Sequence, residues 1–308
     1  CSRLMKMVRS VNFKEELERK TREADRIVMS FLPEAKGFPE KMIEAMNYSV
    51  AAGGKRIRPI LLMESFRMFN GSGSAVRPFM AAIEMVHTHS LIHDDLPAID
   101  NDDYRRGKKT THAVYGEAMG ILSGDALLNF AYETALTSLE EPSDADRKIR
   151  ALRILAAKSG VYGMLGGQSV DVQNEKMGST SLSSQELDYI YLHKTSALLE
   201  AALQIGAVLA GAGEREAAAM EQIGRKTGLA FQIRDDILDV TSTSEKLGKP
   251  VLSDEKNQKT TYVTLYGAEK AEEIVQDLTE EARKLLEKLP GDKEFLCRLL
   301  EWMASRDK

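Results

Sequence analysis

Apolar residues recur at helical spacing along nearly the whole chain, and no stretch has the period-two alternation expected of a β-strand. The first apolar stripe stops before Pro33. A second helix is predicted between Pro39 and Gly53, because proline favours helix starts and glycine often follows helix ends. Neither an internal repeat nor a low-complexity tract interrupts the pattern. An all-α fold is therefore predicted, with one domain spanning residues 1–308.

Charge and cysteine content narrow the possible classes of protein. The 308 residues are 43% hydrophobic and 29% charged, which suits a soluble chain with a sizeable core. A net charge of -5 without a basic, aromatic stripe predicts no nucleic-acid partner. The two cysteines form no disulfide or metal pattern, no signal-peptide core stands at the N-terminus, and polar residues interrupt the longest apolar stretch, 197–213. We therefore expect a cytoplasmic protein without a membrane span.

Five aspartates fall within residues 94–103, directly after a helical stretch. Like charges at neighbouring positions repel each other, and carboxylates near a helix C-terminus interact unfavourably with the helix dipole. Pro97 should end the helix near Leu96, and the resulting turn can bring Asp100 back towards Asp94. The cluster therefore predicts a bound cation.

A second acidic cluster lies within a predicted helix, at Asp235-Asp236-Ile237-Leu238-Asp239. Asp235 and Asp239 are four residues apart, so a helix places both carboxylates on one face. Carboxylate clusters without cysteine suit Mg²⁺, which typically shares one or two carboxylates with substrate phosphates. We expect the two clusters to flank one cavity that binds a diphosphate.

Three cations lie where glycines permit a close approach of the backbone, in Gly53-Gly54-Lys55-Arg56-Ile57-Arg58-Pro59. A helix starts there, and helix N-termini favour anions, so the stretch predicts an anion-binding turn. A solvated basic turn is the alternative. His87, two turns before the first acidic cluster, either faces the same cavity or serves as a core residue.

Three further segments also have sequence patterns that predict local structure. Ser183 and Glu186 form a capping-box pattern for a long helix, and Lys194 in its middle either reaches the site or extends to solvent. No strand precedes the glycine-rich stretch 163–168, which therefore predicts close helix packing and not a nucleotide-binding loop. The long polar segment from Thr241 to Lys259 is predicted to be a closing lid.

Taken in their order along the chain, these motifs resemble those of the trans-isoprenyl diphosphate synthases. The resemblance covers nearly the whole chain. The matching stretches are Gly53 to Pro59, the first aspartate motif in its DDxxxxD form with Arg105-Arg106-Gly107, Gly166-Gly167-Gln168 with Asp171, Lys194-Thr195, Phe231-Gln232 before the DDxxD motif, and Gly248-Lys249. The two-residue expansion before Asp100 and the ending Arg306-Asp307-Lys308 resemble the bacterial farnesyl diphosphate synthase branch. The resemblance implies a homodimer with the isoprenoid synthase fold, in which antiparallel helices surround a large central cavity.

The resemblance also implies an activity, the Mg²⁺-dependent, head-to-tail condensation of isopentenyl diphosphate with dimethylallyl or geranyl diphosphate to (2E,6E)-farnesyl diphosphate. Three Mg²⁺ ions would be held with the allylic diphosphate by Asp94, Asp95, Asp100, Asp235 and Asp239. Isopentenyl diphosphate would be bound by Lys55, Arg58, His87 and Arg106. The substrates would also be contacted by Arg105, Lys194, Thr195, Gln232, Lys249 and Lys259, of which the first four are the expected catalytic residues.

Product length is expected to depend on the residues below the first aspartate motif. His89 stands where bacterial farnesyl synthases usually carry tyrosine, and a rise of about 1.5 Å per residue puts it roughly 7.5 Å from Asp94 along the helix. Together with Ser90 it would limit the growing chain, so a C15 product is expected and C20 geranylgeranyl diphosphate is the alternative. Leu252 and Val263 stand where the family usually has glycine and proline, in and after the predicted lid.

Three other functions are alternatives. An HD-type metal phosphohydrolase would use His87, His89 and His93-Asp94, but it leaves the second aspartate cluster and the basic turn without a role. A terpene cyclase would share the fold and the first aspartate motif but needs no second diphosphate site. A catalytically silent subunit of a heteromeric synthase would be expected to lack at least one aspartate motif, and both are present.

Overall fold

The computed structural model describes residues 2–176, 182–241 and 260–306, and it confirms the predicted all-α class. A six-residue π-helix, Tyr191–Ser196, joins α9 to α10, and a short 3-10 helix, Thr137–Glu140, follows α6. None of the helices in these ranges has both the length and the apolar character needed to cross a membrane. The α-helices are α1 (Ser2–Ser30), α2 (Glu40–Ala51), α3 (Ile57–Met68), α4 (Val76–Asp94), α5 (Thr111–Tyr115), α6 (Glu117–Leu136), α7 (Ala145–Ser159), α8 (Met164–Lys176), α9 (Ser184–Ile190), α10 (Ala197–Ala210), α11 (Glu214–Thr241), α12 (Tyr262–Tyr266), α13 (Ala268–Glu287) and α14 (Glu294–Ser305).

One short hairpin accompanies the helices. Strand β1 (Tyr104–Arg105) pairs with β2 (Lys108–Lys109) in antiparallel register. The connecting residues Arg106 and Gly107 have φ values of 53° and 74°, as in the type I′ turn that suits two-residue hairpins. The sequence did not predict these strands, because two residue pairs are too few to produce a period-two pattern.

The chain divides into two compact units. The first comprises Cys1–Glu64 and Ser72–Lys148, and the second comprises Ser65–Gly71 and Ile149–Lys308. Each unit contains one of the two acidic clusters. The single domain over residues 1–308 stays a prediction.

In the first unit, α4 is almost completely buried and packs against α1, α2 and α6. The contact with α6 is close because Gly120 and Gly124 lie against Leu96 and His93, where a larger side chain would collide. Small residues let two helices approach each other closely. The packing therefore fixes the C-terminal end of α4, where the first aspartate motif begins.

A buried ion-pair network holds the turn between α2 and α3. Arg56 is 3% exposed and donates hydrogen bonds to Asp25 of α1 at 2.8 Å, to Glu84 of α4 at 2.9 Å and to the carbonyl oxygen of Val50 at 2.7 Å. A buried charge is stable only when it is paired and hydrogen-bonded. The predicted anion-binding turn is therefore anchored on two helices, unlike a freely solvated basic turn.

In the second unit, α11 is the central helix, and α10, α13, α14 and the π-helix pack against it. It runs without interruption from Glu214 to Thr241, so Asp235 and Asp239 lie on one face as predicted. The predicted long helix around Lys194 consists of three segments, α9, the π-helix and α10. The predicted lid falls outside the described residues except for Thr241.

Ser183 begins α9 with the capping box that the sequence predicted. Its hydroxyl accepts a hydrogen bond from the backbone N–H of Glu186 at 3.2 Å, and the Glu186 carboxylate accepts one from the backbone N–H of Ser183 at 2.9 Å. Replacing Ser183 with alanine should lower the free energy of unfolding by about 1 kcal/mol, because one helix N–H loses its partner. Urea denaturation measures this change.

Ser184 offers a matched control, because it is exposed at the first position of the same helix. Ser184→Ala should change the free energy of unfolding by no more than about 0.5 kcal/mol. Equal losses in the two variants would contradict the capping role of Ser183.

Candidate active site

The first aspartate motif begins at the C-terminal end of α4. The helix ends at Asp94, close to the position predicted from Pro97. The chain then turns, and the backbone N–H of Asp100 donates a hydrogen bond to the carbonyl oxygen of Asp94 at 2.9 Å. Asp94 is half-buried and Asp100 is exposed. The predicted return of Asp100 towards Asp94 is therefore confirmed for the backbone.

Asp95, the second aspartate of this motif, is buried and paired with Arg105. The guanidinium Nε donates to both carboxylate oxygens at 2.9 and 3.0 Å, and Nη2 donates to Oδ1 at 2.7 Å. Burial raises the pKa of Asp95 above its ordinary value, while Arg105 acts in the opposite direction. Both oxygens accept from one guanidinium, which is the geometry of a charge-assisted Arg–carboxylate pair. Asp95 thus holds Arg105 beside the motif.

The hairpin that carries Arg105 is anchored on α2. The Tyr48 hydroxyl donates a hydrogen bond to the carbonyl oxygen of Lys109 at 2.7 Å, and the hydroxyls of Ser49 and Thr111 contact each other. A small cavity lies beside these contacts, and its lining combines hydroxyl, carboxylate and guanidinium groups. Its polar lining residues are Tyr48, Ser49, Thr88, Asp95, Arg105, Arg106, Lys109, Thr110 and Thr111.

The glycine-rich turn also contacts the hairpin, through Arg106. The Arg106 guanidinium donates a hydrogen bond to the carbonyl oxygen of Gly53. Gly54 has a φ of 145°, and a Cβ atom there would lie 2.5 Å from Nη1 of Arg106. Only glycine combines this backbone conformation with enough space for the guanidinium. The turn and the hairpin, which are about 50 residues apart in sequence, therefore bring their cations together.

The basic cluster is formed by Arg58, His87 and Arg106, with Lys55 on the adjoining turn, and these are the four residues expected to bind isopentenyl diphosphate. Burial, followed by the charges of Arg58 and Arg106, lowers the pKa of His87 well below its ordinary value. Burial and the charge of Arg106 likewise lower the pKa of Arg58 to about 10, although Glu84 opposes them. Lys55 is exposed on the turn. The cluster concentrates positive charge at an electrostatic cost that a bound anion would relieve.

One atom of this cluster is left without a partner. The Nε atom of Arg58 is buried and has no hydrogen-bond partner among the residues that the structure describes. Glu84, whose charge acts to raise the pKa of Arg58, already accepts a hydrogen bond from Arg56. A buried donor of this kind is unfavourable unless a ligand or water satisfies it. This supports the predicted anion-binding role of the turn.

In the second unit, Lys194, Thr195 and Gln232 lie together. The Lys194 ammonium donates to Oδ2 of Asp171 at 2.5 Å, and the Thr195 hydroxyl donates to Oε1 of Gln232 at 3.0 Å. The side chain of Lys194 is 27% exposed, so its pairing with Asp171 describes it better than an extension to solvent. A Cβ atom at Gly167 would lie 2.2 Å from the backbone nitrogen of Lys194. The glycine-rich stretch therefore packs closely against the π-helix, as predicted.

The second aspartate motif lies on α11. Asp235 is partly exposed and forms an ion pair with Arg306, whose guanidinium lies 3.8 Å from the centroid of the Phe231 ring. Asp239 is buried on the same helix face. No spacing rule connects residues as far apart as Arg306 and Asp235, so the pattern of residues did not predict this pair. Arg306 therefore contacts the second aspartate motif in a way that the sequence did not predict.

The carboxylates of both motifs fit Mg²⁺ chemically. Among the described residues, no three histidine, cysteine or acidic side chains gather into a complete metal site. Mg²⁺ commonly takes only one or two protein carboxylates and completes its shell with phosphate oxygens and water. The all-oxygen donor set agrees with that pattern. Two other expected substrate contacts, Lys249 and Lys259, lie outside the described residues, as does Leu252, whereas Val263 lies in α12.

Known proteins resemble this chain in both sequence and structure. The polyprenyl synthetase family model matches residues 39–295. The farnesyl diphosphate synthase of Geobacillus stearothermophilus is 44% identical over 269 residues, which cover 87% of this chain and 90% of that protein. The geranylgeranyl diphosphate synthase of Cyanophora paradoxa is 45% identical over 249 residues, which cover 81% and 82% of the two chains.

A solved structure extends the comparison. It is a geranyltransferase from Helicobacter pylori, complexed with magnesium and isoprenyl diphosphate. It matches with a TM-score of 0.80 and 30% identity, covering 94% of this chain and 95% of that one. The helical architecture is thus that of the isoprenoid synthases. The chain belongs to the polyprenyl synthetase family and is a trans-prenyltransferase, which confirms the resemblance predicted from its motifs.

Proposed function

We propose that the protein catalyses the Mg²⁺-dependent, head-to-tail condensation of isopentenyl diphosphate with an allylic diphosphate, and that its main product is farnesyl diphosphate. The observation that carries the proposal is the basic cluster around Arg58, with its depressed pKa values and its unsatisfied buried Nε atom. Such a cluster suits a diphosphate bound without metal. The aspartate motifs suit a second diphosphate that is bound with metal.

In this proposal, the allylic diphosphate is bound by metal ions held by Asp94, Asp95, Asp100, Asp235 and Asp239. When bound there, Mg²⁺ supplies positive charge that stabilises the diphosphate as a leaving group. Arg105 contributes a further cation, oriented by its bidentate pair with Asp95. Lys194 contributes another, held by Asp171. These preorganised charges act more strongly on the dissociating diphosphate than on the intact substrate.

The remaining residues would stabilise the allylic cation and bind the second substrate. Thr195 and Gln232 lie within hydrogen-bond distance of each other and would direct oxygen dipoles at the allylic cation. Lys55, Arg58 and Arg106 would bind the diphosphate of isopentenyl diphosphate, and His87, kept neutral by its surroundings, would donate one N–H to it. The bond between the allylic C1 and the diphosphate oxygen breaks, the double bond of isopentenyl diphosphate attacks C1, and the departing diphosphate would accept the proton whose loss completes the product.

The structure of α4 supports a C15 product. His89 is 2% exposed, its Nδ1 lies 3.0 Å from the carbonyl oxygen of Gly124, and its ring meets that of His93 edge-on at 4.7 Å. An imidazole held in this way is a rigid obstacle one and a half turns below Asp94. Relatives of similar identity include both farnesyl and geranylgeranyl synthases, and the mass of the product distinguishes the C15 proposal from the C20 alternative.

The decisive experiment incubates the purified protein with isopentenyl diphosphate and each allylic primer, with and without Mg²⁺, and identifies the products by mass. Farnesyl diphosphate that forms only with Mg²⁺ is the expected result, and geranylgeranyl diphosphate would support the C20 alternative. Phosphate release without a longer prenyl product would instead support the phosphohydrolase alternative. Sedimentation of the same sample tests the expected homodimer, and cell fractionation tests the expected cytoplasmic location.

Replacing His89 with alanine is expected to lengthen the product, because it removes the ring that fills the space below Asp94. Geranylgeranyl diphosphate should then become a major product, as measured by mass spectrometry of the extracted prenyl alcohols. His89→Phe restores the bulk without the hydrogen bond and is the matched control, with farnesyl diphosphate still expected. If both variants keep the product of the unmodified protein, His89 does not set the chain length.

A further inference from the structure

One buried carboxylate outside the expected ligand set connects three elements of the second unit. Asp236, on α11, is 5% exposed. Its Oδ2 accepts a hydrogen bond from the Tyr191 hydroxyl at 2.7 Å and another from the backbone N–H of Tyr262 at 3.2 Å. Tyr191 is the first residue of the π-helix, and Tyr262 is the first residue of α12. One oxygen of this carboxylate thus connects α11 to both the π-helix and α12.

Contacts between the two tyrosines reinforce this arrangement. Their rings stack with centroids 5.5 Å apart, and both residues are buried. The Tyr262 hydroxyl donates a hydrogen bond to Asp188 of α9. Burial and the contact with Asp188 raise the pKa of Tyr262 above its ordinary value, so its hydroxyl keeps its proton. The carboxylate, the two rings and Asp188 form one connected network.

The orientation of Asp236 differs from that of the expected metal ligands. One residue along an α-helix corresponds to a rotation of about 100°, so Asp236 is rotated by about 100° from Asp235 and by about 60° from Asp239. Asp235 is partly exposed, whereas Asp236 is buried, as is Asp239. Both hydrogen bonds go to the same oxygen, Oδ2, so the carboxylate is engaged by the π-helix and by α12.

The π-helix needs such support because of its geometry. π-Helices are intrinsically rare and usually persist at functional sites where the surrounding structure stabilises them. This one carries Lys194 and Thr195, whose side chains meet Asp171 and Gln232. A small displacement of the π-helix would move the side chains of Lys194 and Thr195 away from the substrate. Correct placement of the groups that contact a substrate can account for a large part of an enzyme's rate enhancement.

We propose that Asp236 is a positioning residue and not a metal ligand. Through the Tyr191 hydroxyl it holds the π-helix in the geometry that presents Lys194 and Thr195 to the allylic substrate. The functional part of this proposal depends on the proposed prenyl transfer. The structural part, the restraint of the π-helix by Asp236, does not.

Tyr191→Phe is the first test, because it removes only the hydroxyl and keeps the ring stack. The kcat should fall about tenfold, with the KM for isopentenyl diphosphate changed less than about twofold. Hydrogen exchange of the amides of residues 191–196 should become at least about threefold faster. Tyr266→Phe is the matched control, since Tyr266 packs against Tyr262 but is 45% exposed, and it should leave all three quantities unchanged.

Metal binding provides the second test, with Mn²⁺ added together with inorganic pyrophosphate and followed by electron paramagnetic resonance. Asp236→Asn keeps an oxygen that can accept from Tyr191, so its Mn²⁺ affinity should stay within about twofold of that of the unmodified protein. Asp235→Asn should lose at least about tenfold. Tyr191→Phe should bind Mn²⁺ normally.

Two results would overturn the proposal. One is a loss of Mn²⁺ affinity in Asp236→Asn as large as in Asp235→Asn, which would make Asp236 a ligand. The other is unchanged hydrogen exchange of the π-helix in Tyr191→Phe. If the unmodified protein forms no prenyl product, the proposed function fails separately, and the hydrogen-exchange comparison still decides whether Asp236 restrains the π-helix.

Discussion

Replacing Asp94 with asparagine is expected to lower kcat for prenyl transfer by about a thousandfold, equivalent to ~4 kcal/mol of transition-state stabilisation. Asparagine keeps the size of the side chain but removes the charge that binds Mg²⁺. Breaking the allylic carbon–oxygen bond moves negative charge onto the diphosphate. Metal charge at that position therefore stabilises the transition state more than the bound substrate. A steady-state assay with isopentenyl and geranyl diphosphates at saturating Mg²⁺ measures the change.

The same acidic stretch offers a control for general electrostatic effects. Asp103 is exposed, lies nine residues after Asp94 and is not among the proposed ligands. Asp103→Asn removes the same charge and should change kcat less than about twofold. Similar losses in both variants would mean that the total negative charge matters and not a specific ligand. An Asp94→Asn variant with more than a tenth of the original kcat would contradict its proposed role as a metal ligand.

The features that the sequence predicted correctly depend on interactions between near neighbours. Pro97 marks the end of α4, because a proline disfavours helical geometry at the preceding residue. Ser183 and Glu186 form the predicted capping box, because three residues are enough to specify it. The face shared by Asp235 and Asp239 follows from helical periodicity alone. In each case the physical cause lies within four residues or fewer.

The features that the sequence did not predict depend on partners that are distant along the chain. Tyr191 and Asp236 are 45 residues apart, and no spacing rule links them. The contact of Arg306 with Asp235 spans 71 residues. The π-helix shares its apolar pattern with the α-helices on either side, so its different hydrogen bonding left no signal in the composition. Only the packing of complete elements determines such contacts.

The basic cluster depends both on near neighbours in the sequence and on contacts between distant residues. The motif containing Gly54 and Arg58 was recognisable in the sequence, but a solvated basic turn was an equally reasonable interpretation. What favours an anion site is the three-dimensional environment. Burial, together with the charge of Arg106, which lies against Gly54, lowers the pKa of Arg58. Clusters of like charge that are unfavourable in the free protein are typical of functional sites. The cluster should therefore oppose stability while it promotes binding.

Replacing Arg58 with methionine tests this opposition directly. The KM for isopentenyl diphosphate should rise about a hundredfold, since a buried, charge-assisted contact with the diphosphate contributes roughly 1.5 to 3 kcal/mol. The KM for the allylic diphosphate should change little. Burial lowers the pKa of Arg58 to about 10, so the folded protein disfavours this charge at neutral pH. The free energy of unfolding of the variant should accordingly be unchanged or higher.

Steady-state kinetics and urea denaturation together provide the measurement, and Arg67→Met is the matched control. Arg67 is exposed on the same helix, so its loss should change neither KM by more than about twofold. A lower free energy of unfolding in Arg58→Met with an unchanged KM would make Arg58 a structural residue. A hundredfold rise in KM at unchanged or higher stability would support the proposed role. It would mean that the Arg58 guanidinium is unfavourable in the free folded protein and favourable once the diphosphate is bound.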